Sequence, residues 1–444
     1  MLSSFLKQKL LNLVIGTFIT FSILLGIGVF VPKVAKGPTS TTSIATTQIT
    51  ADILFIHADI VSMDSNNQIY TDGWLAIKDG KIMSLGDTPE RPNANKVIDS
   101  KGAIIFPGFI DTHAHLGMSS LTNKLKITSY TDWLINAKKL EATLTPQDIF
   151  IGTKDALQKI SRSGVTTIND MYFFPDMAEK AALEFGLRIM HRIPISKSKG
   201  RLALPELKGD LSVQTLDPNP ITDYSLEDLK TISEFAKSHD LLVHIHFESD
   251  PSEKQEFQQV FNLTPLEVLV ATGLINNRLV LAHALALSKS EIFTLKTYPN
   301  ISISTTPRSE QNLSKIITPV NAYLEQGIQV TLGTDSEPSA GSLDMLAEMY
   351  TLYNKSKCKP SEVYCDKTGH LNPEVIVEMA TKRAALSLGL EDSVGSLQSG
   401  KSADLVIVDK SRFAKSTKDP FELLVQDFLV KDINSVYIAG KLIK

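Results

Sequence analysis

The sequence contains very little cysteine. Only 2 of its 444 residues are Cys, so the chain is not a disulfide scaffold. These two residues, Cys358 and Cys365, lie in one polar segment, CKPSEVYC. They would form a disulfide in an oxidising compartment or remain as two free thiols, and the sequence leaves both alternatives open.

A large excess of charge of either sign is also lacking. Lys and Arg number 45 and Asp and Glu 49, which gives a net charge of −4, and no long basic block is present. A groove for nucleic acid needs clustered basic residues to neutralise phosphates, so we expect no nucleic-acid partner. The chain is 43% hydrophobic and long enough for one large α/β unit with an appended domain.

The amino-terminal residues differ from the rest. Residues 10–31 carry no charge and are almost entirely apolar. As a helix they would reach about 33 Å, enough for a hydrocarbon core of about 30 Å. We predict an uncleaved transmembrane anchor over 1–32, with a cleaved signal peptide and a buried core helix as alternatives. Residues 33–50, rich in Thr and Ser, then form a tether. The predicted protein is membrane-anchored with its body outside the cytoplasm, periplasmic or extracellular, or secreted if the anchor is cleaved.

The body shows two kinds of pattern. Short β-rich runs at 51–105 and 396–444 predict two parts of one discontinuous β-sandwich made from both chain ends. Between them, over 106–395, eight β-branched runs from AIIFPGFID to IQVTLGTD alternate with helical patterns such as SLEDLKTISEFAKSHD, where Ser225 is the expected N-cap. Eight such units make a (β/α)₈ TIM barrel. No Gly-rich phosphate fingerprint follows the first strand, which disfavours a doubly wound open sheet.

Four of the nine histidines lie at or just past the ends of predicted strands: His113, His115, His246 and His283. The carboxyl ends of barrel strands meet at one mouth, and residues two apart in a strand point to the same face. Asp335 ends the last predicted strand, beside the first in a closed barrel, and can bind the same ion. This set predicts an open site for one divalent metal, zinc in preference to iron.

Several motifs together resemble the amidohydrolase superfamily, in particular its methylthioadenosine/S-adenosylhomocysteine deaminase and chlorohydrolase branch. They are PGFIDTHAH, SGVTTINDMYFFPD, VHIH with a nearby Glu, LVLAH, TLGTDSEPSAGSLDMLAEM and GSLQSGKSADLVIVD, and the similarity covers nearly all of 51–444. The resemblance implies a mononuclear metal hydrolase. The implied roles are metal ligands for His113, His115, His246 and Asp335, a metal-proximal position for His283, and proton transfer for Glu248.

The chain also departs from the family pattern. Glu248 follows His246 by two residues, whereas the branch usually has three. His244 is an alternative ligand on the same strand, and we prefer His246 because it is nearer the strand end. The usual His-Asn-Pro after strand seven is replaced by Thr305-Thr306-Pro307. Of the activities that the resemblance implies, nucleoside deamination is therefore the one that these differences support least.

The predicted chemistry is hydrolysis of a carbon–nitrogen bond other than a peptide bond. A bound divalent ion lowers the pKa of its water from 15.7 toward about 7. Asp335 would accept the proton, His283 would polarise the electrophile, and Glu248 would carry the proton to a ring nitrogen or leaving amine. Structural alternatives are a helix-capping role for Asp335 and a solvated loop position for Glu248. The expected reaction is deamination of an amino-heterocycle, or cleavage of an amide, urea or cyclic amide.

Two residues are candidates for binding the small-molecule substrate. Trp133 is expected to form an apolar wall over a ring, with Asp132 near its polar groups, although a buried helix aromatic is the structural alternative. A different class of function also stands: a catalytically silent, membrane-tethered barrel that binds a ligand or partner. The resemblance further allows a homodimer.

Overall fold

The computed structural model describes residues 50–195, 204 and 207–444, which form two sheets and surrounding helices. The strands are β1 Ala51–Val61, β2 Ile69–Lys78, β3 Lys81–Gly86, β4 Ala94–Asp99, β5 Ala103–Pro107, β6 Phe109–Ala114, β7 Val165–Asp170, β8 Arg188–Arg192, β9 Ser212–Leu216, β10 Leu242–Phe247, β11 Leu279–His283, β12 Ile301–Thr305, β13 Gln329–Leu332, β14 Leu405–Asp409, β15 Ile433–Ile438 and β16 Lys441–Leu442. The helices are α1 Tyr130–Glu141, α2 Pro146–Arg162, α3 Pro175–Phe185, α4 Leu226–Ser238, α5 Glu253–Phe261, α6 Pro265–Thr272, α7 Lys289–Leu295, α8 Pro307–Leu313, α9 Val320–Glu325, α10 Glu337–Ala340, α11 Met345–Lys355, α12 Pro373–Met379, α13 Lys382–Leu388 and α14 Pro420–Gln426.

Strands β6 to β13 form an eight-stranded parallel sheet in chain order. The last strand returns to the first through a parallel bridge between Ala114 and Asp335. At this seam the Asp335 N–H donates to the His113 carbonyl and the His115 N–H donates to the Asp335 carbonyl, both at 2.9 Å. The sheet therefore closes nearly completely into an α/β barrel. The predicted eight-stranded parallel barrel is confirmed.

Local sequence sets the helix boundaries. Helix α4 begins after Ser225, as predicted, because the Ser225 hydroxyl accepts the Asp228 N–H at 3.1 Å and the Asp228 carboxylate accepts the Ser225 N–H at 3.0 Å. This reciprocal cap satisfies two backbone donors that the first turn leaves free. The buried face of the helix carries Leu229 and Ile232, so the same segment supplies both the cap and the apolar stripe.

Inside the barrel, polar side chains form a bonded layer below the mouth. The Thr112 hydroxyl lies 2.7 Å from the Ser304 hydroxyl and 2.8 Å from the Thr331 hydroxyl, and it donates to the Leu332 carbonyl at 2.9 Å. Buried hydroxyls are stable only when such partners are present. This layer holds β6 against β12 and β13 just beneath the seam.

The run AIIFPGFID, predicted as one strand, is divided at Gly108 into β5 and β6. A Cβ atom on Gly108 would lie only 2.2 Å from the Thr166 Oγ1 atom, so the chain passes β7 too closely for any side chain there. One residue thus separates the appended sheet from the barrel.

The second sheet joins both ends of the chain. β14 pairs antiparallel with β5 and with β15, and β1 pairs with β2, β4 and β5. β1 passes from β4 to β5 at a bulge around His57, whose φ is 59°. The described strands therefore form one hydrogen-bonded mixed sheet around its own apolar cluster, in which the Phe55 ring of β1 meets the Tyr437 ring of β15 at 5.3 Å between centroids. The predicted sandwich and the predicted domain boundaries stay predictions.

The predicted location needs correction. No helix within the described ranges is long and apolar enough to cross a membrane. The predicted anchor over 1–32 lies outside the described residues, as does the tether apart from Thr50. The prediction of a membrane-anchored protein outside the cytoplasm rested on composition alone, and it is withdrawn.

A disulfide joins Cys358 and Cys365 in the segment between α11 and α12. Their Cα atoms lie 6.2 Å apart, within the range that a disulfide spans. Of the two alternatives that the sequence left open, the structure contains the bonded pair.

Gly333 lies between β13 and Asp335, where the backbone packs closely against His113. A Cβ atom there would lie 2.7 Å from the His113 carbonyl oxygen and 2.9 Å from the His113 N and Cβ atoms. Because these backbone atoms belong to the seam, Gly333→Ala should lower the free energy of unfolding by about 1–3 kcal/mol. Gly86→Ala, whose new Cβ meets only the Trp74 ring at 3.2 Å, is the matched control. Denaturant titration of both variants measures the difference, and equal losses would contradict the seam argument.

Candidate metal centre

The predicted ligands converge at the barrel mouth. His113, His115 and His246 present ring nitrogens within 4.8 Å of one another, and His113, His283 and Asp335 form an overlapping group with the same spacing. All five side chains are buried or nearly so. They come from the ends of β6, β10 and β11 and from the segment after β13, which the barrel brings together although they are distant in sequence.

Two imidazoles are fixed by hydrogen bonds on their outer side. His115 Nδ1 donates to the Met171 carbonyl at 2.5 Å, and His246 Nδ1 donates to the Asn219 side-chain oxygen at 2.9 Å. Since each ring carries its proton on Nδ1, each Nε2 holds a lone pair. These two Nε2 atoms lie 3.1 Å apart. Two facing lone pairs at this distance repel unless a cation or a proton lies between them.

His113 is held from behind by a second buried histidine. Its Nδ1 atom lies 2.9 Å from Nε2 of His244, whose own Nδ1 lies 3.1 Å from the side-chain amide of Asn169. The Nε2 atom of His113 is fully buried and has no hydrogen-bond partner among the described residues. The structure therefore places His246 at the centre of the cluster and His244 behind His113.

His283 and Asp335 are each held by neighbours from α8 and its flanking loop. His283 Nδ1 lies 3.2 Å from the Thr306 hydroxyl and 3.6 Å from a carboxylate oxygen of Glu310. The Ser309 hydroxyl donates a short hydrogen bond to Asp335 Oδ2, while Asp335 Oδ1 lies 3.5 Å from His115 Nε2. One oxygen of Asp335 is thus occupied and the other faces the histidines.

The histidines differ in their acid–base behaviour. Burial lowers the pKa of His113, His115 and His246, so these rings are neutral at pH 7 and free to bind a metal. Burial acts in the same direction on His283, but the nearby carboxylates of Glu310 and Asp335 outweigh it and raise the pKa of His283. His283 therefore differs from the other three histidines in the direction of its pKa shift.

The backbone is strained where these side chains turn inward. His283, Asp335 and Glu248 have φ values of 78°, 60° and 46°, in the left-handed region that non-glycine residues rarely adopt. Each lies at or just past a strand end. Such strain costs of the order of 1–3 kcal/mol per residue and concentrates at functional sites.

These features fit a divalent metal ion. The three Nε2 atoms and Oδ1 of Asp335 would hold it, and His283 would lie beside it. The outer hydrogen bonds from Met171 and Asn219 are of the kind that orient metal-bound imidazoles. A ligand set of neutral imidazoles and one carboxylate suits zinc or divalent iron.

A cavity of about 640 Å³ opens above the cluster. Its floor is formed by His115, His246, His283 and Asp335. Its apolar and aromatic walls include Met118, Tyr130, Trp133, Leu134, Tyr172, Phe173, Tyr224, Phe257 and Leu313. Its polar lining includes Glu141, Arg192, Asn219, Ser249, Glu253 and Glu256. A pocket with apolar walls and a few converging polar groups is typical of a small-molecule site.

The remaining predicted site residues lie in different surroundings. Trp133 lines the cavity and is buried, and its indole nitrogen has no partner within the described part of the chain. Asp132 caps α1 through Ser129, is exposed, and is not part of the cavity lining. The carboxyl of Glu248 is buried behind the site, 3.4 Å from Nζ of Lys254, and is also outside the lining.

Sequence patterns did not identify the residues that orient the ligands. Asn219 lies in the segment Asp217-Pro218-Asn219-Pro220, in which no ligand-orienting residue was predicted. Glu310 accepts hydrogen bonds from the Thr306 N–H at 2.8 Å and from the Thr318 N–H at 2.9 Å, and no spacing rule marks it. The inward-facing positions of such residues depend on loop conformation, which periodicity does not determine.

Comparison with known proteins agrees with this geometry. Residues 104–443 match the model of the amidohydrolase family. The chain belongs to this family.

A 5-methylthioadenosine/S-adenosylhomocysteine deaminase of Syntrophomonas wolfei is 30% identical over 419 residues, covering 88% of this chain and 93% of that protein. A 5'-deoxyadenosine deaminase of Methanobrevibacter smithii is 31% identical over 76% of this chain and 80% of that protein. An adenosine deaminase structure from Xanthomonas campestris with bound zinc has a similar fold, with a TM-score of 0.79 and 23% identity over 88% of this chain and 93% of that one.

Family membership identifies the protein as an enzyme, a metal-dependent hydrolase acting on carbon–nitrogen bonds. A divalent metal is a property of the superfamily, and the histidine cluster described above provides a site for it. The alternative of a catalytically silent barrel is not favoured.

Metal content is the direct test of the site. Protein purified without added metal should hold about one divalent ion per chain, and His113→Ala/His115→Ala should hold none, because the variant removes two of four ligands. His239→Ala, at the exposed end of α4, is the matched control and should keep the ion. Elemental analysis of the three proteins gives the answer, and a double variant with full metal content would refute the assignment.

Acid should release the metal only below the usual titration range of histidine. Protonated imidazole does not bind metal, and burial lowers the pKa values of His113, His115 and His246 below the ordinary value of 6.5. The ligands therefore stay deprotonated as the pH falls from 7 through 6.5. Dialysis against metal-free buffers from pH 8 to pH 4, followed by elemental analysis, should show retention at pH 6.5. Release at or above that pH would contradict the prediction.

Proposed function

We propose that this enzyme deaminates an amino-heterocycle of the purine nucleoside class and uses zinc. The observation that carries the proposal is the pair of Nε2 lone pairs, on His115 and His246, that face each other at the floor of an aromatic-walled cavity. The names of the relatives, which are deaminases of adenosine derivatives, support this substrate class.

The reaction requires water to add to the ring carbon that bears the amino group. The metal, when bound, lowers the pKa of water so that hydroxide is available near neutral pH. Asp335 accepts the proton of the attacking water and later gives it to the leaving amine, so that ammonia departs as the carbon–nitrogen bond breaks. The Ser309 hydroxyl, bonded to Oδ2, holds the carboxylate in place during this exchange.

The ring and its substituent are held by other residues. Nδ1 of His283 faces Thr306 and Glu310, which leaves its second nitrogen for the developing oxyanion. The carboxylates of Glu310 and Asp335 raise the pKa of His283 in spite of its burial, and this direction favours the protonated ring that can donate such a hydrogen bond. Trp133 supplies an apolar face, which is the role proposed for it from the sequence, and an indole N–H that has no partner among the described residues.

The far wall of the cavity provides polar groups for the rest of the substrate. Glu141 accepts a hydrogen bond from the Tyr172 hydroxyl at 3.1 Å, and both residues line the cavity. Burial raises the pKa of Glu141, and the hydrogen bond from Tyr172 makes this shift smaller. Glu141 therefore takes the place of Asp132 as the carboxyl available to substrate hydroxyls.

A substrate panel tests the proposal. We expect the zinc-loaded enzyme to release ammonia from 5'-methylthioadenosine, S-adenosylhomocysteine or 5'-deoxyadenosine. Guanine, a purine that carries its amino group at a different ring position, is the fourth compound of the panel. Ammonia release is measured for the wild type and for the metal-free double variant His113→Ala/His115→Ala. A wild-type protein with one bound zinc that releases no ammonia from any of the four would refute the substrate class.

Trp133 tests how the ring is bound. Trp133→Ala should raise KM about tenfold, corresponding to about 1.4 kcal/mol, with a smaller effect on kcat, because stacking contributes to ground-state and transition-state binding alike. Trp133→Phe keeps an aromatic face and should restore most of the affinity. Steady-state kinetics on the best substrate of the panel measures both, and unchanged KM in Trp133→Ala would place the ring elsewhere.

A further inference from the structure

The glutamate that follows the strand-five histidine by two residues does not face the cavity. Glu248 is fully buried, and neither of its carboxylate oxygens has a hydrogen-bond partner in the described ranges. Its nearest charged group is Nζ of Lys254, at 3.4 Å, which also pairs with Glu291 at 2.9 Å. The left-handed φ of 46° at Glu248 turns the chain at the end of β10. The side chain is thus directed to the outer side of the barrel mouth.

The residues that follow Glu248 bring a different carboxyl, that of Glu253, to the cavity. Ser249 and Glu253 both line it, together with Tyr130 from α1. Oε1 of Glu253 accepts the Tyr130 hydroxyl at 2.9 Å and the Ser249 N–H at 3.2 Å. Both bonds fall on this one oxygen, so within the described part of the chain Oε2 is left for a substrate. The two donors fix the carboxyl at the edge of the cavity without occupying it fully.

Two of the other carboxyls in the lining accept hydrogen bonds from neighbouring hydroxyl groups. Glu256 accepts the Thr222 hydroxyl at 2.8 Å in exposed surroundings, and Glu141 is bonded to Tyr172. Glu253 acts electrostatically on His283, which lies in the metal cluster, and so do Glu310 and Asp335. Of these, Glu310 is engaged by Thr305, Thr306 and Thr318 and Asp335 is a metal ligand. Glu253 lines the same cavity as His283 and Asp335, and its described hydrogen bonds all fall on Oε1.

We propose that Glu253, and not Glu248, is the catalytic proton donor for the substrate ring. This inference rests on the proposed deamination. As the water oxygen bonds to the ring carbon, the adjacent C=N π bond opens, and the ring nitrogen takes the proton of the Glu253 carboxyl. When ammonia leaves and the C=O bond of the product forms, the ring nitrogen keeps this proton, and the proton of the added hydroxyl passes to the Glu253 carboxylate and regenerates the acid. No redox partner is needed, and the protons balance between water, Asp335 and Glu253.

The surroundings favour a protonated carboxyl at the start of the cycle. Burial raises the pKa of Glu253, and the hydrogen bonds from Tyr130 and Ser249 and the charge of His283 reduce the shift without cancelling it. The pKa of Glu253 therefore moves in the direction that the proposed proton donor requires.

The experiment compares two isosteric variants, Glu253→Gln and Glu248→Gln, using the best substrate of the panel. Glu253→Gln should lower kcat at least 100-fold while KM stays within about threefold and zinc content is unchanged, since general acid catalysis contributes about 10²–10⁴-fold. Glu248→Gln should keep kcat within about fivefold of the wild type. The opposite ranking of the two variants, or full activity of Glu253→Gln, would overturn the proposal.

Two further measurements separate a chemical role from a loss of folding or binding. Calorimetric binding of the same substrate to zinc-loaded Glu253→Gln should give an affinity near the wild-type KM, because the amide preserves shape and hydrogen-bonding capacity. Glu253→Asp, which shortens the side chain, should fold, bind zinc and lose at least tenfold in kcat, and unchanged kcat there would also refute the role. If the wild type and Glu253→Gln are both fully active, only this inference is refuted. If the wild type releases no ammonia from any substrate of the panel, the deamination proposal is refuted and this inference with it.

Discussion

The closing seam of the barrel is the constraint on which the site depends. Two backbone hydrogen bonds join Asp335 to His113 and His115, so the first and last barrel strands present their ligands to one point. The Thr112 hydroxyl layer and Gly333 keep the strands close enough for this pairing. Barrel closure therefore sets the spacing of the proposed ligands through main-chain pairing.

The second requirement is that each ligand be oriented from outside the cluster. His115 and His246 are held by acceptors on their far nitrogens, and Ser309 occupies one oxygen of Asp335. Buried polar atoms without partners are costly, so the inward-facing lone pairs need a cation or a proton among them. The protein thus orients the proposed ligands through its own hydrogen bonds, and the carboxylates of Glu310 and Asp335 raise the pKa of His283.

Much of this was predictable because it depends on strand ends. Histidines placed at the ends of β-branched runs predicted convergence, and the order of the strands predicted that Asp335 would meet His113. The change of partners of β1 at the bulge around His57 was not predictable, because period-two alternation does not reveal a bulge. The substrate-facing residues were harder to predict. Asp132 and Trp133 are adjacent in sequence, yet on α1 one caps the helix and the other lines the cavity.

The case of Glu248 shows why spacing from a metal ligand is a weak guide beyond the strand. Within a strand, side-chain direction alternates with a period of two, so His244 and His246 lie on one side. At Glu248 the backbone enters the left-handed region, and the alternation ends. From that point the direction of a side chain depends on the turn and on the helix that follows, and α5 begins at Glu253 with its carboxyl against Ser249 and Tyr130. A family role that requires a carboxyl at the cavity can thus be met by a residue at another position in the sequence, because the reaction depends on where the oxygen lies and not on its distance along the chain.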